Sequence, residues 1–96
     1  LTLSDMENIT RLEISALEKR LSELGCTLVC QPDVYPFIAK QALSKSGSAR
    51  EIRHIITALI ENRISDMLIS SACRDFSVCV SENTLTVAQH RKQLCS

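Results

Sequence analysis

Hydrophobic positions recur along this chain with two different periods, and the changes of period mark out its elements. From Ile9 the apolar residues step through Leu12, Ile14, Leu17, Leu21 and Leu24, mostly three or four apart. Glu13, Glu18, Lys19, Arg20 and Glu23 fill much of the rest. That is the spacing of one amphipathic helix face. Ser4-Asp5-Met6-Glu7 reads as a capping box, predicting a helix that opens at about Asp5. Gly25 follows the last periodic residue and predicts a left-handed stop. Cys26-Thr27-Leu28-Val29-Cys30 is short and apolar, as a strand is. Pro32 and Asp33 end it and open a second helix, with Pro36 also in the first turn, where a missing N–H costs nothing. Val34, Ile38, Ala42 and Tyr35, Ala39, Leu43 form its broad apolar face, so it runs to about Leu43, and Ser44-Lys45-Ser46-Gly47 makes a loop.

The third helix carries the cleanest stripe: Ile52, Ile55, Ile56, Leu59, Ile60, Ile64, Met67 and Leu68. Such a stripe is core rather than a cofactor box. Ser48 followed by Glu51 is a second capping box and starts this helix at Ser48. The period then drops to two. Phe76 to Val80 and Thr84 to Ala88 alternate as strands, with Phe76, Val78, Val80, Leu85 and Val87 turned towards the helices. Ser81-Glu82-Asn83 reads as a three-residue hairpin loop. The expected fold is α/β: three helices packed on a small three-stranded sheet, in the order helix-strand-helix-helix-strand-strand. Residues 91–96 read as a polar tail beyond a domain of residues 1–90.

Composition narrows the function more than the fold. The 96 residues fit one domain. Aromatic residues are only 3%, so the core must be aliphatic and no base-stacking platform is available. Eleven basic residues balance eleven acidic ones, which argues against nucleic acid as a partner. No signal peptide or membrane span is expected from the sequence. The five cysteines, Cys26, Cys30, Cys73, Cys79 and Cys95, are odd in number and lack zinc spacing. They read as reduced thiols serving as small apolar residues in a cytoplasmic protein, with no metal. A start at Leu1 rather than Met suggests a piece of a longer chain.

Catalytic chemistry is sparse. No G-x-x-x-x-G-K-[ST] and no G-x-S-x-G occurs. His54 and His90 stand apart, one on a helix and one in the tail. Glu61 and Asp66, five apart on a helix, point about 140° away from each other, a poor arrangement for concerted acid–base chemistry. What stands out is Gly47-Ser48-Ala49-Arg50-Glu51-Ile52-Arg53-His54. A helix N-terminus carries about half a positive charge and favours acids, yet Arg50 is the second helical residue and Arg53 lies one turn on. Such cations cost stability unless an anion lies near, and the helix mouth is itself an anion site. Two readings stand: Arg50 faces a phosphate, or both arginines are solvated, with one partnered by Glu51 or Glu61.

The element order and this arginine motif resemble the C-terminal small, or lid, subdomain of Clp-type AAA+ unfoldases and disaggregases. In that family a Gly-Ala-Arg signature often opens the long third helix, matched here by Ser48-Ala49-Arg50. Ile55-Ile56-Thr57-Ala58-Leu59-Ile60-Glu61-Asn62-Arg63-Ile64-Ser65-Asp66-Met67-Leu68 is similar to the family's helix of the form I-x-x-x-I-E-x-x-[LI]-[AS]-x-x-[LI]. The resemblance extends over about residues 1–88. Ser48 stands where the signature has glycine and Glu51 where it often has proline, both consistent with a capped helix start. The resemblance implies that Arg50 is the sensor-2 residue, reaching the phosphates of ATP held by the adjoining AAA+ large subdomain. Ser48 and Arg53 are candidate supports. It further implies ATP or ADP in the full-length protein, none in the isolated piece, and neighbouring subunits of a hexameric ring as partners. The branch of the family stays open. So do two other readings: an autonomous protein–protein interaction module with no nucleotide role, and a small thiol enzyme.

Overall fold

The computed structural model describes residues 2–45, 47–70 and 74–89. Helix α1 (Leu3–Glu23) starts earlier than its spacing suggests. Its cap is Thr2, whose hydroxyl accepts from the Asp5 N–H at 3.2 Å, while the Asp5 carboxylate accepts from the Thr2 N–H at 3.1 Å. The capping box is therefore Thr2 with Asp5, not Ser4 with Glu7. The earlier start places Leu3 against the core and Met6 wholly inside it. The hydrogen bond from the Thr2 N–H, helped by the Thr2 side chain, also holds the Asp5 carboxyl below its ordinary value. At the other end Gly25 adopts φ +82°, the Gly25 N–H donates to the Ser22 carbonyl, and the Cys26 N–H donates to that of Leu21. That is the Schellman closure expected of a glycine just past a helix.

Strand β1 (Thr27–Cys30) follows, then α2 (Val34–Lys45), with Pro36 in its first turn. The expected third helix is a helical rod with a break of register inside it: α3 (Ala49–Ile56), a π-helical turn (Thr57–Glu61) and α4 (Asn62–Ser70). Across the π turn the Asn62 N–H donates to the Thr57 carbonyl, an i→i+5 bond. Strands β2 (Asp75–Ser81) and β3 (Thr84–Gln89) complete the fold. Their loop has two residues rather than three, because the ladder continues to Ser81↔Thr84. Glu82 and Asn83 both take positive φ, 51° and 62°, the left-handed pair of a type I′ turn.

The sheet runs in the order β1-β2-β3, with β1 parallel to β2 and β3 antiparallel to it. Leu28, Phe76, Val78, Leu85 and Val87 are buried on one face, while Thr27, Val29, Thr84 and Thr86 are exposed on the other. The helices supply the rest of the core: Ile14, Leu17, Ile38, Ile52, Ile60 and Ile64 are all at most 2% exposed. The interior is mostly aliphatic, with Phe76 on the central strand as its largest fully buried side chain. Among the described residues no helix is long and apolar enough to cross a membrane. His90, Cys73, Cys95 and the 91–96 tail lie outside the described residues.

Candidate functional site

The mouth of α3 is built locally. Ser48 is extended, at φ −117° and ψ 159°, and its hydroxyl accepts from the Glu51 N–H at 3.4 Å. This caps the helix and sets Ala49 and Arg50 as its first two residues. Ile52, Ile55 and Ile56 lie in the core, so the opposite side of the turn must face outward. Arg50 lies there, exposed, with no hydrogen-bond or ion-pair partner among the described residues. Glu51 does not engage it. His54 is likewise exposed.

Arg53 has a different setting. Its Nε donates to Glu13 Oε2 at 3.1 Å, joining α3 to α1. The partner is thus Glu13, not the Glu51 or Glu61 that helix spacing offers, because the bond crosses between helices. Glu61 is also engaged across the interface, with Arg20 Nη2 at 3.4 Å, and it accepts from the Thr57 hydroxyl at 3.2 Å. The structure therefore separates the three candidate residues: Ser48 shapes the helix mouth, Arg53 braces it against α1, and Arg50 projects into solvent.

The π turn and the two cross-helix ion pairs were not expected from periodicity. A sequence signal for the turn does exist. Ile52, Ile56, Ile60 and Ile64 keep a strict step of four, and all are at most 3% exposed. In an uninterrupted α-helix these steps would spread the residues over about 120°. A turn that absorbs one extra residue returns them to a single narrow stripe.

The other chemistry is quiet. Cys26, just before β1, is buried, and Cys30, at its end, is half-buried. Burial, aided by the Glu18 charge, pushes the Cys30 thiol up to about 12, which disfavours the thiolate a nucleophile needs. Among the described residues no group of three or more His, Cys, Asp or Glu side chains is placed to hold a metal ion. Arg11 lies over the Tyr35 ring at 4.4 Å from its centroid, a cation–π contact that packs α1 on α2.

A search of curated proteins gives no match to the chain. The family described as the C-terminal, D2-small domain, of ClpB protein matches residues 1–80, from α1 through all but the last residue of β2. With the match covering most of the chain, and the observed element order agreeing with the small subdomain it resembles, the chain belongs to the family of C-terminal D2-small domains of ClpB protein, a subdomain of an AAA+ chaperone.

Proposed function

We propose that this domain serves the ATPase cycle of its parent chaperone by presenting Arg50 as a sensor-2 residue to nucleotide held by the adjoining large subdomain. ATP or ADP is bound by that partner, whose P-loop supplies the chemistry. Arg50 contributes a fixed positive charge whose planar fork suits phosphate oxygens and does not deprotonate. The same subdomain contacts a neighbouring subunit of a hexameric ring, so that movement of Arg50 with nucleotide state passes on to the next subunit.

One observation carries this reading: a guanidinium at the electropositive start of a capped helix, exposed and without a protein partner among the described residues. The arrangement is unfavourable alone and favourable once an anion is docked against it. The family membership supplies the partner that would bring one. Arg50→Ala in the full-length protein is expected to lower kcat/KM for ATP about tenfold or more, the worth of a charge-assisted hydrogen bond. Arg50→Lys should recover part of the loss. Unchanged turnover and unchanged nucleotide affinity in Arg50→Ala would remove the residue from the site.

A further inference from the structure

Two ion pairs tie α1 to the helical rod, and their spacing is unequal. Glu13 and Arg20 are seven residues apart on α1, whereas their partners Arg53 and Glu61 are eight apart on the rod. Seven residues of α-helix return to within about 20° of the starting azimuth, but eight overshoot by about 80°. In an unbroken rod, with Arg53 facing Glu13, Glu61 would turn away from Arg20. The π turn absorbs one residue and brings both rungs onto one side. Glu61 is the last residue of that turn and Thr57 the first, and the Thr57 hydroxyl donates to the Glu61 carboxylate. Glu61 thus clasps the two ends of the turn together and fastens them to α1 through Arg20. Arg20, Arg53, Glu13, Thr57 and Glu61 line one hollow between the helices.

We propose that Glu61 is a positioning residue for Arg50: by holding the π turn it sets the azimuth at which the start of α3 presents that arginine. A one-residue shift of register at the turn rotates everything upstream by about 100° and displaces it along the axis by about 1.5 Å. Arg50 lies seven residues before the turn begins, on continuous helix. A π turn is uncommon and persists only where its surroundings hold it. Ile56 and Ile60 hold the turn from the core side, while Thr57, Glu61 and Arg20 hold it from the solvent side through polar contacts that can be broken without unpacking the core. The inference rests on the sensor reading of Arg50, and the experiment separates the two.

The test uses the full-length protein carrying Glu61→Ala, Thr57→Val, Arg50→Ala and the Glu61→Ala/Arg50→Ala pair. Measured are ATP turnover, thermal unfolding and amide exchange over Thr57–Asn62. Glu61→Ala is expected to speed exchange in that segment and to raise KM for ATP about three- to fivefold, with a smaller change in kcat, the scale of a partly exposed ion pair. Thr57→Val should act in the same direction. In the Arg50→Ala background, Glu61→Ala should add nothing further to KM, as expected of a residue acting through Arg50. If Arg50→Ala impairs ATP handling but Glu61→Ala leaves KM unchanged, or adds its full effect to the double variant, this inference is overturned and the sensor reading stands. If Arg50→Ala is silent, the sensor reading falls and takes this inference with it.

Discussion

Arg50 and Arg53 lie three residues apart on one helix and meet different surroundings. Arg53 has an acid in reach on α1 and is tied down; Arg50 has none among the described residues. Both were legible as misplaced cations, since helix electrostatics identifies them from position alone. Which of the two is satisfied within the fold was not, because Glu13 lies 40 positions from Arg53. A cation left at a helix start without a partner should lower stability. Arg50→Glu is therefore expected to stabilise the domain by about 0.5 kcal/mol, read as a rise in the denaturation midpoint, while impairing nucleotide handling. A fall in the midpoint would mean that the side chain has stabilising contacts in the folded state.

Elements tell a similar story one level up. Every helix and strand shows in the periodicity, and Gly25 stops α1 where its position suggests. What periodicity misses is register. Thr2 and Ser4 each offer a capping hydroxyl three residues before an acid, and the cap that buries Met6 prevails. In the rod, three- and four-residue steps fit a plain helix broadly, and only the repeated step of four from Ile52 to Ile64 betrays the extra residue at Thr57–Glu61. In the hairpin, neither Glu82 nor Asn83 is a glycine, so nothing marks a tight two-residue turn, and pairing of the strands forces both residues to positive φ. That strain is open to relief. Asn83→Gly should raise stability by about 0.5–1 kcal/mol in chemical denaturation, since glycine adopts the left-handed region without penalty. A loss of stability on that substitution would show that Asn83 has stabilising contacts outweighing the backbone gain.

Across the whole molecule, Cys30 and Tyr35 lie close to where α1, β1 and the start of α2 meet, and both resist ionisation. Burial is the main cause in each case, and it raises the thiol from its ordinary 9.0 to about 12 and the phenol above its ordinary 10.0. The native state therefore keeps protons that the unfolded chain releases. Stability from this source is complete below pH 9 and falls as pH rises towards about 12. Denaturation midpoints measured from pH 7 to 11 should decline more steeply above pH 9 in the natural chain than in Cys30→Val. Equal slopes would exclude the thiol as the cause.

The pairing of β1 with β2 has a further consequence. Thr27 finds its partner at Asp75, and Phe76, opposite Leu28, is the largest fully buried side chain. On the ribosome, α1, β1, α2 and the helical rod all emerge before the strand that completes their interior. Until residues 75–81 clear the exit tunnel, the apolar faces of α1, α2 and the rod lack the central strand they close over, so the nascent domain is open to aggregation.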